Sequence, residues 1–152
     1  MAIPQLDSNL LDFIELLNEK SVKYLLIGGY AVASHGFIRA TKDIDFWFAR
    51  TSENCLKLEQ VTREFGVKTF YEAELLEPDM IFQLGYPPVR IDLINTPIPE
   101  DQLSFEICFA RALDMEVESI YVKTVSLNDL ITLKQHSARP RDLEDIRRLG
   151  MK

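Results

Sequence analysis

Apolar positions along the chain change period several times. Leu10, Leu11, Phe13, Ile14, Leu16 and Leu17 recur at helical spacing, and Asp7 or Ser8 can cap the helix they predict, which Asn18 to Ser21 would end. Val22 to Ile27 is a short β-type run stopping at Gly28-Gly29. Tyr30 to His35 reads as a brief alanine-rich helix closed by Gly36, and Thr41 to Ala49 as a second strand with Phe46, Trp47 and Phe48 in it. Leu56, Leu58, Val61 and Phe65 predict a helix over 53–65, ended by Gly66. Residues 67–80 are ambiguous. Met80 to Leu84 and Val89 to Ile94 predict a hairpin around Gly85-Tyr86-Pro87-Pro88, and Pro97 to Asp101 a loop. Phe105 to Met115 is uncertain, and Ile120 to Val122 reads as an edge strand. Ser126 can cap a helix over 127–136, and Pro140 can open a last helix over 141–149 as its first residue. The layout is α+β: one domain over 1–152, a mixed or antiparallel sheet with helices packed on it, and C-terminal helices from about 126.

The bulk properties restrict what such a domain can do. The 152 residues are enough for one domain with a core, and no apolar run approaches the ~20 residues of a membrane span. The N-terminus lacks the pattern of a secretory signal, so a cytoplasmic location is expected. Cys55 and Cys108 lack zinc-site spacing and read as free thiols. The net charge of −7 argues against general nucleic-acid binding. The charge is uneven, however: seven of the 17 basic side chains but only four of the 24 acidic ones fall in residues 120–152. That end could face phosphates, or its charges could be solvated helix faces.

The chemistry concentrates in two stretches. Asp43 and Asp45 are one residue apart, so on a strand both carboxylates share a face while Ile44 and Phe46 point into the core. Adjacent acids are unfavourable without a cation, and Mg²⁺, which takes carboxylate oxygens and keeps places for water and phosphates, fits. An exposed polar strand face is the simpler alternative. Asp92 is a lone acid in the apolar run Val89 to Ile94, where it completes a three-carboxylate site or pairs with Arg90 on the same face. Gly28-Gly29, between strand and helix, suits close approach of a phosphate to backbone N–H groups, or is a plain tight turn. No Walker or dinucleotide fingerprint accompanies it.

In combination, Ile27-Gly28-Gly29, Asp43-Ile44-Asp45-Phe46 and Ile91-Asp92-Leu93 resemble the nucleotidyltransferase superfamily with the DNA polymerase β-like palm. The C-terminal stretch, with Lys134, Arg139, Asp142 and Asp145, is similar to the Lys…Arg-x-x-Asp-x-x-Asp segment of minimal bacterial members, including AbiEii-like toxins. The resemblance implies that Gly28 and Gly29 hold a triphosphate, that Asp43, Asp45 and Asp92 bind metal (Mg²⁺, with Mn²⁺ as a substitute), and that Asp92 acts as the general base or assists it. Thr41, Lys134 and Arg139 are further nucleotide-binding candidates; Arg39 could contact phosphate or sit in solvent. Asp142 can serve as an N-terminal helix acid, and Asp145 can pair with Arg141 or Arg148. His35 and His136 read as surface or packing residues.

The implied activity is transfer of a nucleoside monophosphate from a nucleoside triphosphate to a hydroxyl of RNA, tRNA, a protein or a small molecule. A toxin of a toxin–antitoxin system is among the implied roles, with an antitoxin or a second copy of the chain as partner and no membrane. The alternative readings are a non-catalytic nucleotide-binding or protein-interaction module, and a structural domain whose acids are paired by Arg90 and Lys42. The chain carries Gly-Gly where many members have Gly-Ser, which removes a hydroxyl contact to phosphate. It also shows no acceptor domain, which argues against antibiotic adenylylation.

Overall fold

A computed structural model describes residues 7–36, 43–86 and 89–150. In the described residues the strands form one mixed six-stranded sheet, and helices cover both faces. The elements in chain order are α1 (Ser8–Glu19), β1 (Tyr24–Ile27), α2 (Gly28–Ser34), β2 (Asp43–Phe48), α3 (Ser52–Phe65), α4 (Glu72–Leu75), β3 (Ile81–Tyr86), β4 (Val89–Ile94), α5 (Phe105–Ala110), β5 (Leu113–Val117), β6 (Ile120–Thr124), α6 (Leu127–Ser137) and α7 (Pro140–Gly150). The sheet order is β3-β4-β2-β1-β6-β5. β1 runs antiparallel to β2 and parallel to β6, β2 runs parallel to β4, and β3–β4 and β5–β6 are antiparallel pairs.

The helix ends follow from local chemistry. The Asp7 carboxylate accepts from the Asn9 N–H at α1, Thr51 and Ser126 cap α3 and α6 in the same way, and Gly66 ends α3 in the left-handed conformation. Pro140 opens α7, where its missing N–H costs nothing.

Strand alternation splits the sheet chemically. Ile44, Phe46 and Phe48 of β2 are buried on one face, where Phe13 of α1 lies 6.0 Å from Phe46 and 5.0 Å from Phe65 of α3. Burying each such side chain contributes ~1.5–3 kcal/mol. The opposite face carries Asp43, Asp45 and Trp47, and Phe105 of α5 meets Trp47 edge-on at 5.3 Å. β2 is therefore central in the sheet, with its acids on the face toward α2 and α6 rather than toward the main core.

Three expectations are corrected. The Ile120 strand is not an edge: β5, whose alternation of exposed acids and buried apolar residues hides it in sequence, lies outside it. Gly85 belongs to β3 rather than to the turn. Gly28 and Gly29 are the first residues of α2 rather than a turn ahead of it. Among the described residues no helix is long and apolar enough to cross a membrane. Cys55 and Cys108 are both buried and free.

Candidate active site

Three strands bring the site together. The antiparallel register sets Ile27 opposite Asp45, and the parallel register sets Asp45 opposite Asp92. The residue after Ile27 is Gly28, at φ +72°. A β-carbon built on Gly28 would overlap the Asp45 Oδ2 and lie 3.0 Å from its Cγ, so only glycine fits there beside that carboxylate. Ile27 precedes α2 in an extended conformation and supplies no side-chain cap, which leaves the first amides of the helix for another acceptor.

These residues border a cleft of about 400 Å³. Gly28, Asp45 and Asp92 line it from the sheet, and Lys134, Ser137, Arg139 and Asp142 from the α6–α7 junction. Two predicted site residues, Gly29 and Asp43, are not among the lining residues: Gly29 is buried at the start of α2, and Asp43 faces Arg90 at 3.3 Å. Arg90 shares the β4 face with Asp92, as expected, and the β2–β4 register also sets it directly opposite Asp43. Thr41, Arg39 and Lys42 lie outside the described residues.

Burial and repulsion from neighbouring carboxylates act on Asp45 and Asp92 together, and the Lys134 and Arg90 charges offset only part of that. Burial first, and then the neighbouring Asp92 and Asp43 charges, push the Asp45 carboxyl up to about 7. Asp92 is raised as well, by burial and by Asp43, with Arg90, Asp45 and Gln83 pulling part of the way back. The Asp92 Oδ1 is buried and has no hydrogen-bond partner. Two facing carboxylates and an orphaned oxygen fit a divalent cation with phosphate oxygens completing its shell. Among the described residues no group of three or more His, Cys, Asp or Glu side chains is placed to hold a metal ion.

The wall of the cleft is a buried ion cluster. Lys134 Nζ lies 3.2 Å from Asp142 and 3.1 Å from Asp145, with side-chain exposures of 6 %, 0 % and 1 %. The left-handed Ala138 and the helix start at Pro140 fold α7 back so that Asp145 meets Lys134 of α6, a contact that the sequence pattern does not name, and Arg148 pairs with Glu144. Asp142 also accepts from the Ser137 hydroxyl at 2.7 Å, from the Arg139 backbone N–H at 3.1 Å and from Arg139 Nε at 2.9 Å. Burial raises the Asp142 carboxyl, but its hydrogen bonds from Arg139, Ser137 and Lys134 outweigh that and hold it far below the usual carboxylate range. Asp142 is thus both a helix-start acid and the anchor of two cations. His35 is buried at the end of α2 with its ring Nε2 2.9 Å from the Val125 carbonyl, and His136 is exposed on α6.

Sequence reasoning missed the far end of the cleft. Asp79, Met80, Ile81, Ile94, Thr96 and Pro97 line it there. The first two fall in the segment whose pattern is ambiguous, and no charge or motif marks the others.

Comparison with known proteins places this geometry. A family described as nucleotidyl transferase of unknown function (DUF2204) matches residues 7–152. No curated protein sequence matches significantly. Among solved structures, the antibiotic-resistance factor ANT(2'')-Ia superposes with a TM-score of 0.65 at 15 % identity, over 95 % of this chain and 82 % of that one. The lincosamide antibiotic adenylyltransferase LnuA, solved with lincomycin bound, gives 0.60 at 17 % identity, over 96 % and 97 %. An antigenic nucleotidyltransferase-like protein from Paracoccidioides brasiliensis gives 0.57 at 16 % identity, over 93 % and 74 %. At these identities the likeness is one of fold, and it bears out the α+β reading with a mixed sheet; the family match over residues 7–152 bears out the resemblance to the nucleotidyltransferase superfamily.

Proposed function

The chain belongs to this nucleotidyl transferase family, and we propose that it moves a nucleoside monophosphate from a nucleoside triphosphate to an acceptor hydroxyl at the cleft between the sheet and α6. The observation that carries this reading is the meeting of Gly28, Asp45 and Asp92 at one end of that cleft. Gly28 leaves room beside Asp45 for a triphosphate to lie against backbone. Asp45 and Asp92 would hold a divalent cation, Mg²⁺ or Mn²⁺, with Asp43 beside them on β2. A bound cation would neutralise phosphate charge and favour departure of pyrophosphate.

The acceptor oxygen attacks the α-phosphorus, the bond from that phosphorus to the bridging oxygen breaks, and pyrophosphate leaves. Asp92 orients the acceptor hydroxyl and helps to take up its proton. The Arg139 side chain is 69 % exposed while its Nε and Nη2 both donate to Asp142, so Nη1 and the outward N–H of Nη2 can donate to phosphate. Lys134 is held by two buried acids and serves chiefly to lock the α6–α7 wall in place. Thr41 is a further phosphate contact in this reading.

A small-molecule acceptor needs no separate acceptor domain. This chain covers 97 % of the length of the lincosamide adenylyltransferase, so a protein of that size accommodates such a substrate. A toxin role, with an antitoxin or a second copy as partner, rests on the sequence resemblance alone.

One observation favours a second reading. The Asp43–Arg90 pair satisfies one of the three acids within the protein, as a nucleotide-binding or interaction module without catalysis would allow. Incubating the chain with α-phosphate-labelled nucleoside triphosphates, Mg²⁺ and whole-cell extract separates the two. Label transferred to RNA, protein or a small molecule, with pyrophosphate released, supports the enzyme. Retention of all label in the triphosphate supports the module.

A further inference from the structure

Building on the reading that this cleft transfers a nucleotide, we infer that its β3 end is the acceptor subsite, shaped for a small hydroxylated molecule with an apolar face and an ammonium group. The two ends of the cleft differ in chemistry. The charged end holds Asp45, Asp92, Lys134, Arg139 and Asp142. At the other end Met80 and Ile81, together with Ile94 and Pro97, form an apolar shelf.

The shelf is open: Met80 is 41 % and Ile81 59 % exposed, and β3 is an edge of the sheet. It is also connected to the reacting centre. Ile81 pairs with Ile94 in the β3–β4 register, and Ile94 is two residues beyond Asp92. Residues i and i+2 of a strand share a face about 7 Å apart. A molecule resting on Ile81 and Ile94 therefore presents a hydroxyl to Asp92 without extending far beyond the shelf.

Charge decides the class of molecule. Asp79 is the charged residue among those lining the shelf end, whereas the lining cations Lys134 and Arg139 both sit at the α6–α7 end and both bond Asp142. A polynucleotide needs Lys and Arg along its path to neutralise phosphates, and the described residues of the shelf end offer none. An exposed carboxylate beside apolar side chains suits an ammonium attached to an apolar body. The Asp79 backbone is fixed by its N–H donating to Thr96 Oγ1 at 3.0 Å, so the carboxylate is carried on an anchored residue.

Methyl-resolved NMR of the full chain tests this, with phenylethanolamine, phenylethanol, ethanolamine and bulk tRNA as separate titrants. Phenylethanolamine is expected to shift the Met80 and Ile81 methyl signals saturably at millimolar concentration. Phenylethanol should bind about threefold more weakly, the effect of a partly solvated ion pair, and ethanolamine should leave the methyl signals in place. In Asp79→Asn, whose amide tolerates the left-handed backbone of that residue (φ +60°), the two aromatic alcohols should bind alike. Unmoved methyl signals with phenylethanolamine, equal affinities for the two aromatic alcohols in the wild type, or tRNA shifting these methyls at lower concentration would each overturn the assignment. None of these titrations contains nucleotide, so a failure of triphosphate binding, measured separately, removes the donor reading and leaves the occupancy of the shelf independently known.

Discussion

Gly28 and Asp45 occupy space that only one side chain can fill: a β-carbon on Gly28 would overlap the Asp45 Oδ2, and the Gly28 backbone sits at φ +72°. Backbone conformation and side-chain position are thus joined at the centre of the site. Gly28→Ala is expected to destabilise the chain by more than ~1 kcal/mol, because it meets both an unfavourable φ and a carboxylate. It should also weaken triphosphate binding. Urea unfolding and nucleotide titration of the same preparation check the two effects.

Lys134 is enclosed by Asp142 and Asp145. Removing one partner of a buried pair leaves uncompensated charge, so Lys134→Met should cost ~3–5 kcal/mol. Arg139→Ala removes an exposed guanidinium and its hydrogen bonds to the buried Asp142, which keeps Lys134 and Ser137, and should cost less than the Lys134 change, about 1.5–3 kcal/mol. Equilibrium unfolding of both variants would show that contrast.

Asp142 gives the fold an acid-sensitive component. Its folded-state carboxyl lies below the unfolded-state value of about 4. A depressed carboxylate stabilises the folded state fully above that unfolded value, and the contribution is lost as pH falls through the folded one. Stability should therefore drop on acidification below about pH 4. Unfolding free energies measured down this range should fall more steeply for the wild type than for Asp142→Asn.

Asp45 and Asp92 predict a metal-dependent gain in stability. A cation bound by the folded state alone raises the melting temperature by mass action. Mg²⁺ should do so for the wild type and have little effect on Asp45→Asn. Differential scanning calorimetry at fixed pH, with and without Mg²⁺, reads this directly.

Parts of this site were legible in the sequence, and the reasons are local. Asp43, Asp45 and Asp92 stand out because each interrupts an apolar strand, and period-two alternation assigns their face. The caps at Asp7 and Ser126 follow from hydrogen bonding within a few residues. What escaped depends on register and on chain reversal. That Arg90 also lies opposite Asp43 is decided by the offset between two parallel strands. Asp145 meets Lys134 only because α7 folds back over α6, which helical spacing within α7 does not reveal. β5 was hidden because three of its five residues are exposed. Asp79 falls in a segment without periodicity, and Met80, Ile81 and Ile94 read only as strand residues, so nothing in the sequence marked the far end of the cleft as part of a site.

The central claim is that Gly28, Asp45 and Asp92 form a metal-dependent triphosphate site. Isothermal calorimetry of ATP, GTP, CTP and UTP against the wild type, with and without Mg²⁺, and against the Asp45→Ala, Asp92→Ala double variant tests it most directly. The account predicts saturable binding of at least one triphosphate that requires Mg²⁺ and is lost in the double variant. Absence of Mg²⁺-dependent binding in the wild type, or binding that survives in the double variant, would contradict it.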